Sequence, residues 1–151
     1  MPRAYVAECR LAAPPERVWA VLVDLGAYPR WNPFTLQVRS SLAVGDPVDM
    51  VVWMRGRGTV RQREWLEVCE APSRLVWALR IPVPWLLWAR REQRLLPDGE
   101  GTRYVTVDEI GGLLGPVVHL LLGRSIAWGF TAMAAALARE VARRDGPGGS
   151  S

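Results

Sequence analysis

The chain has 151 residues, of which 50% are hydrophobic and 23% are charged, a combination typical of one soluble globular domain. All 19 basic residues are arginines, lysine is absent and the one histidine is His119. Reactions that need a lysine amine, such as Schiff-base chemistry, are therefore excluded. Because a zinc site takes three or four protein ligands, one histidine and two separated cysteines argue against a zinc enzyme. Carboxylate-bound Mg²⁺ stays open on these counts, and we assign no residue to a metal site.

The net charge of +4 raises the question of an acidic partner. The arginines occur in short scattered groups, and none of these groups is the dense basic run with interleaved aromatics that marks a nucleic-acid surface. We therefore expect no nucleic-acid partner. Two cysteines are too few for a disulfide scaffold and the first residues lack a signal-peptide pattern, so we expect a cytoplasmic protein.

The first predicted element is a strand over residues 4–12, where apolar and charged side chains alternate. Pro14 and Pro15 end the strand and start a short helix, in which apolar residues recur at helical spacing up to Gly26. The segment 28–34 contains two prolines and three aromatic residues. It therefore forms at most one further helical turn before an extended exit.

The region from 36 to 110 has a β pattern that is interrupted by short turn signals rich in Gly, Pro and Asp. Such short connections predict an antiparallel sheet. We predict six strands here, over 35–42, 48–55, 59–69, 74–81, 87–96 and 102–110. A long helix then runs from Pro116 to about Arg144, so that residues 1–145 form one domain and residues 146–151 a flexible tail.

The long helix carries one apolar stripe at steps of three and four residues, which predicts packing against the concave face of the sheet. The stripe consists of His119, Leu122, Ile126, Phe130, Met133, Leu137 and Val141. Residues 113–138 are also long and apolar enough to cross a bilayer. However, Arg124 at the centre would cost at least ~2.5 kcal/mol there. We therefore expect a buried helix and no integral membrane segment.

Three segments resemble the START-like, birch-allergen-like (SRPBCC) superfamily, whose members include polyketide cyclases and lipid-transport proteins. These segments are Ala13-Pro14-Pro15-Glu16-Arg17-Val18-Trp19 running into Asp24, Tyr28-Pro29-Arg30-Trp31-Asn32-Pro33-Phe34, and 101–103 leading to 109–116. The resemblance covers nearly the whole chain and implies an α+β helix-grip fold. In that fold a curved seven-stranded antiparallel sheet wraps around a long C-terminal helix, with two short helices after strand 1. It also implies an apolar cavity between sheet and helix, with Trp31 at its wall or rim.

Hairpin register predicts which side chains face that cavity, because neighbouring strands share their faces. A four-residue turn after Cys69 gives the pairs Leu66 with Trp77, Glu64 with Leu79 and Gln62 with Ile81. This face is apolar except for Gln62 and Glu64. If the turn is one residue shorter, those two side chains lie on the solvated face instead.

A turn over 97–101 pairs Gln93 with Val105, Arg91 with Val107 and Ala89 with Glu109. Arg91 and Glu109 then lie diagonally on one face, within reach of each other. They are either a polar site in the cavity or a structural ion pair at its end.

The remaining candidates for ligand contact are Trp88, His119 and the helix residues Leu122, Ile126 and Phe130. His119 is either a rim or packing residue or a catalytic base, since it is the only side chain here that titrates near neutrality without help. The apolar segment 82–88, which contains Trp85 and Trp88, is expected to be a lid or a docking surface.

Three hypotheses fit these residues: two concern the function of the cavity and the third concerns binding partners. The first is a biosynthetic enzyme of the polyketide cyclase or dehydratase type, without a cofactor. From the predicted register we expect Glu64 or Glu109 to move protons in it and Arg91 to stabilise an enolate. The alternative is a non-catalytic carrier that binds a hydrophobic, polyketide-like or lipid-like small molecule in the same cavity. The third hypothesis is an interaction module in which segment 82–88 docks another protein or forms a homodimer.

Overall fold

The sheet and helices of the chain are described by a computed structural model over residues 3–146. The predicted tail lies almost entirely outside these residues. The strands are β1 (Arg3–Leu11), β2 (Thr35–Ser40), β3 (Pro47–Met54), β4 (Gly58–Glu70), β5 (Arg74–Leu79), β6 (Trp88–Asp98) and β7 (Gly101–Gly111). The helices are α1 (Pro15–Leu22), α2 (Tyr28–Trp31) and α3 (Gly115–Asp145), with a 3₁₀ turn at Leu25–Ala27.

All seven strands form one curved antiparallel sheet in the order β1-β7-β6-β5-β4-β3-β2. The first and second strands are thus its two edges, and the chain passes from one edge to the other through α1 and α2. This is the predicted helix-grip fold, and the predicted element order is confirmed.

The crossover between the two edges is fixed by buried groups near its turns. Pro14 is extended and Pro15 starts α1, whose residues Val18 and Leu22 are completely buried. Tyr28 is also fully buried, and its hydroxyl donates a 2.6 Å hydrogen bond to the carbonyl of Leu22. After α2, the side-chain oxygen of Asn32 accepts hydrogen bonds from the backbone N–H groups of residues 34 and 35, which starts β2.

Helix α3 packs on the concave face of the sheet through the predicted stripe, of which Met133 and Leu137 are fully buried. Gly129 allows the closest approach, because a Cβ there would overlap the ring of Phe34. By length and composition α3 resembles a membrane span, but 44% of its apolar window is buried in the fold. The helix is thus a core helix of this domain, as expected.

The predicted register of the β4–β5 hairpin is correct only in part. Glu70 lies opposite Arg74, so the turn has three residues rather than four. A bulge at Glu67 then shifts the pairing, and Leu66 lies opposite Trp77 as predicted. Gln62 and Glu64 consequently share the concave face with Trp77.

The predicted register of the β6–β7 hairpin is wrong by one residue. Asp98 pairs with Gly101, so the turn has two residues, and Gly99 takes a φ of +62° at its first position. A one-residue change moves every side chain of a strand to the opposite face. Arg91 therefore lies opposite Asp108 rather than Val107, and Ala89 lies opposite Ile110 rather than Glu109.

Candidate functional site

A cavity of about 190 Å³ lies between the concave face of the sheet and α3. Its walls are mostly apolar and come from every strand between β2 and β7 and from the first half of α3. Representative wall residues are Met50, Val52, Leu79, Ile110, Ile126 and Phe130. Since a single buried water needs only ~10–15 Å³, the space suits a small organic molecule.

Besides the hydroxyl of Thr35, four larger side chains bring hydrogen-bonding or charged groups into this apolar space: Gln62, Glu64, Arg91 and Asp108. Gln62 and Glu64 come from β4, and Arg91 and Asp108 are opposite each other on β6 and β7. Arg91 belongs to a set of residues that lie opposite one another on five neighbouring strands and therefore share one face of the sheet. In order across the sheet, the set is Leu66, Trp77, Arg91, Asp108 and Tyr5. Because alternate residues of a strand share one face, the two polar residues of β4 and those of β6 and β7 all point into the same cavity.

The Glu64 carboxyl is nearly inaccessible, since the residue is 6% exposed. Burial raises its pKa to about 7, although the Gln62 amide and the charge of Arg91 act in the opposite direction. The Nε2 of Gln62 donates a 3.0 Å hydrogen bond to Oε2 of Glu64. This bond also fixes the orientation of the Gln62 amide.

Asp108 is the second buried carboxyl of the cavity, at 9% exposure. Burial raises its pKa to about 7, the negative charge of Glu64 adds to that rise, and Arg91 opposes it. The charge of Glu64 therefore disfavours ionisation of Asp108, and burial shifts both carboxyls toward the protonated form near neutral pH.

The Arg91 guanidinium is 4% exposed and is held from several sides. Its Nε donates to Oγ1 of Thr106 at 3.1 Å, and its Nη2 lies 3.1 Å from Sδ of Met133. The guanidinium carbon lies 4.5 Å from the ring centroid of Phe130 and 5.8 Å from that of Trp77. Nη1 takes no part in these two hydrogen bonds. No ion pair within residues 3–146 includes Arg91.

Eight of the predicted site residues line the cavity: Gln62, Glu64, Trp77, Leu79, Arg91, Leu122, Ile126 and Phe130. Glu109 does not, because the corrected register places it on the outer face, where it is exposed. Leu66 and Gln93 are completely buried, and Gln93 accepts a 2.6 Å hydrogen bond from the hydroxyl of Tyr104.

The other three predicted residues, Trp31, Trp88 and His119, do not line the cavity. The rings of Trp31 and Tyr28 meet edge to face at 5.0 Å, which makes Trp31 a packing residue in this structure. Trp88 covers Gly111, where a Cβ would overlap its indole. His119 bridges Tyr5 and β7, with Nδ1 2.5 Å from the Tyr5 hydroxyl and Nε2 3.3 Å from the carbonyl of Ile110.

Sequence reasoning missed Asp108 and Thr35. Thr35 lines the cavity at 1% exposure, and its hydroxyl has no hydrogen-bond partner within the described residues. Asp108 follows from the Asp98-Gly99 dipeptide, which is a signal for a two-residue hairpin. Any two-residue turn there puts the even-numbered residues of β7 on the face of Arg91. Thr35 had no such signal, because its placement depends on the Asn32 cap.

No set of three or more His, Cys, Asp or Glu side chains within residues 3–146 is arranged to hold a metal ion. The polar groups of the cavity are instead two carboxyls, one guanidinium, one amide and one hydroxyl. Such groups can donate and accept protons and can stabilise a negatively charged oxygen.

The segment before β6 contributes Leu87 to the wall of the cavity. The backbone N–H groups of Leu113 and Leu114 donate to the carbonyls of Trp85 and Leu86, at 2.9 and 2.8 Å. Gly112, with a φ of +96°, packs so closely that a Cβ would overlap the backbone of Leu86. This segment is therefore attached to the loop that precedes α3.

Comparison with known proteins gives one sequence family and many structural neighbours. The family described as polyketide cyclase / dehydrase and lipid transport matches residues 4–142. No curated protein sequence matches the chain. The aromatase/cyclase Zhui from Streptomyces sp. R1128 is 21% identical over 100% of both chains, with a TM-score of 0.76.

Two further neighbours show how widely the architecture is shared. A protein from Thermus thermophilus is 20% identical over 95% of this chain and 100% of its own, with a TM-score of 0.74. Norcoclaurine synthase from Thalictrum flavum is 16% identical over 93% and 87% of the two chains, with a TM-score of 0.70. At these identities the structural likeness establishes the fold.

Proposed function

Because the chain belongs to the polyketide cyclase / dehydrase and lipid transport family, we propose that it binds an apolar, ketone-bearing small molecule and catalyses its cyclisation or dehydration by proton transfer. The ligand class is polyketide-like or lipid-like, and the reaction uses no cofactor. The observation that supports this proposal is the pair of buried carboxyls, Glu64 and Asp108, that share a cavity with Arg91.

The protonation state of the two carboxyls fits acid–base catalysis near neutral pH. With both pKa values at about 7, the most populated state at that pH has one carboxylate and one carboxylic acid. General acid–base catalysis is most effective when the pKa lies near the working pH. One member of the pair is then ready to accept a proton while the other is ready to donate one.

The first proposed step is formation of an enolate. A carboxylate of the pair takes a proton from the carbon next to a ligand carbonyl, and the electron pair of that C–H bond moves onto the carbonyl oxygen. Arg91 donates a hydrogen bond to this developing oxyanion. Because the guanidinium is already buried and held by Thr106 and Phe130, it needs no reorganisation when the charge appears.

The second step is attack of the enolate carbon on another carbonyl of the same folded ligand, which forms the ring bond. The carboxylic acid of the pair gives its proton to the resulting alkoxide. In dehydration, a carboxylate takes the proton on the adjacent carbon while the acid protonates the leaving hydroxyl, and water departs. The apolar walls contribute by holding the ligand carbons together, an effect that can supply ~7–11 kcal/mol of the barrier.

Enolisation is the step to test first, because it needs only a simple ketone. We choose α-tetralone, a bicyclic aryl ketone, and follow replacement of its α-protons by deuterium in D₂O by proton NMR. The wild-type protein is expected to accelerate this exchange. Glu64→Gln and Asp108→Asn are each expected to lower the catalysed rate by roughly 100-fold or more. Glu109→Gln, a matched change at an exposed carboxyl, is expected to leave it unchanged.

The same measurement separates the enzyme from the carrier. Saturation-transfer NMR reports whether α-tetralone binds, independently of exchange. Binding without any acceleration of exchange would contradict the catalytic proposal and favour the carrier, in which the same polar groups only orient the ligand. Full exchange activity in Asp108→Asn would refute the role assigned to the carboxyl pair.

A further inference from the structure

A group of exposed apolar side chains, here called the leucine patch, surrounds the start of α3. It consists of Trp85, Leu113, Leu114, Val117, Leu120 and Leu121. Leu120 is 84% exposed, and Trp85 and Leu113 are each 68% exposed. Single exposed apolar residues are ordinary, but a contiguous set indicates an interaction surface.

The members of the leucine patch are neighbours in space. Residues 117, 120 and 121 are three and four positions apart on α3 and therefore share one face of the helix. The hydrogen bond from the N–H of Leu113 to the carbonyl of Trp85 places the tryptophan beside the start of that face. The patch thus joins two chain segments that are separate in sequence.

The leucine patch is continuous with the wall of the cavity. Val118 and Leu122 line the cavity, and each follows directly a member of the patch on α3. Leu87 lines the cavity from the other side, two residues after Trp85. Whatever covers the patch therefore lies next to the part of the cavity wall that Leu87, Val118 and Leu122 form.

The surroundings of the patch are basic. Residues 110–139 contain no aspartate or glutamate. Arg124 follows Leu120 by one helical turn, and the carbonyl of Arg55, at the tip of the β3–β4 hairpin, accepts a hydrogen bond from Ser125. Arg3, the first residue of β1, lies opposite Ile110. These three arginines are exposed, and no ion pair within residues 3–146 includes them.

We propose that the leucine patch binds the surface of a lipid bilayer that contains anionic lipids. Leucines and a tryptophan on the face of a helix enter the boundary between headgroups and acyl chains, and flanking arginines pair with anionic headgroups. Pairing of two copies through the same patch would bring their unpaired arginines together, which the net charge of +4 disfavours. A bilayer with anionic lipids offers acyl chains to the leucine patch and negatively charged headgroups to the three arginines.

Co-sedimentation with vesicles tests the proposal without any ligand and so does not depend on the catalytic role. Vesicles of phosphatidylcholine alone are compared with vesicles that also contain phosphatidylglycerol, at low and high salt. The wild-type protein is expected to sediment with the anionic vesicles and to be partly released by salt. The double variant Leu120→Ser/Leu121→Ser is expected to bind at least tenfold more weakly.

Matched controls exist for both parts of the surface. Val6 and Val44 are 61% and 63% exposed and lie outside the patch, so Val6→Ser/Val44→Ser is expected to bind like the wild type. Arg124→Gln is expected to weaken binding to anionic vesicles, whereas Arg139→Gln, on the same helix and about 22 Å further along its axis, is not. Circular dichroism checks that each variant retains its helix content.

Two results would overturn the proposal. One is equal binding of the wild type and Leu120→Ser/Leu121→Ser to anionic vesicles, which would place lipid binding elsewhere. The other is absence of vesicle binding together with a concentration-dependent dimer that the same double variant abolishes. That result would make the patch an interface between two copies of the chain.

Discussion

Replacement of Glu64 by glutamine is expected to stabilise the protein above neutral pH and to change little under acidic conditions. In the unfolded chain this carboxyl loses its proton near pH 4.5, whereas burial in the fold raises its pKa to about 7. Between those values the native state binds a proton that the unfolded state has lost. The free energy of unfolding therefore falls as pH rises through this window.

The magnitude follows from the width of that window. A difference of one bound proton changes the free energy of unfolding by about 1.4 kcal/mol per pH unit. Over the interval from 4.5 to about 7, ionisation of Glu64 removes about 3 kcal/mol of stability. Glutamine cannot ionise, and its amide oxygen can still accept the hydrogen bond from Gln62. For a domain of this size the difference corresponds to roughly 6–12 °C in melting temperature.

The assay is urea unfolding followed by tryptophan fluorescence, from about pH 4.5 to about pH 8.5. The wild type and Glu64→Gln are expected to have similar stabilities at the acidic end and to diverge as pH rises. Glu109→Gln is the control, because that carboxyl is exposed on the outer face. Parallel curves for the wild type and Glu64→Gln across the whole range would refute the reasoning, since no titration near neutrality would then distinguish them.

Two further substitutions test the cavity and the packing of α3. Ile126 lines the cavity and is 5% exposed, so Ile126→Trp is expected to fill the cavity and to weaken α-tetralone binding at least tenfold in a saturation-transfer NMR titration. An unchanged affinity would place the ligand elsewhere. The control is Ala135→Trp, at an exposed position of the same helix. Gly129→Ala is expected to cost about 1–3 kcal/mol in urea unfolding, because the added methyl overlaps Phe34. Gly26→Ala, where a Cβ meets nothing within 4 Å, is its control, and equal stability of the two variants would contradict the tight contact.

The elements could be predicted because alternation, turn residues and helical spacing are local signals, and the helix-grip fold followed from the resemblance of three segments to a known superfamily. The pairing register of neighbouring strands was harder to predict, as the β4–β5 and β6–β7 hairpins show. In β4–β5 the turn is one residue shorter than predicted, and the bulge at Glu67 restores the pairing of Leu66 with Trp77. Glu64 therefore faces inward, one of the two alternatives that the sequence left open, because the bulge offsets the shorter turn.

The β6–β7 hairpin has no bulge to compensate for its shorter turn. Every residue of β7 is therefore shifted by one position. Asp108 occupies the place opposite Arg91 that was expected for Val107, and Glu109 moves to the outer face. Because side chains alternate with a period of two, a one-residue difference exchanges an exposed carboxyl for a buried one. Composition and periodicity do not distinguish the two acids; only the geometry of the turn does.

The attachment of segment 82–87 to the loop before α3 has a kinetic consequence. If a ligand leaves past Leu87, the segment must move, and the two hydrogen bonds from residues 113 and 114 must break first. Together they represent about 1–3 kcal/mol, which would prolong ligand residence by roughly 5-fold to 150-fold without changing a single contact to the ligand. Release and affinity can then be tuned separately, the first by this attachment and the second by the walls of the cavity.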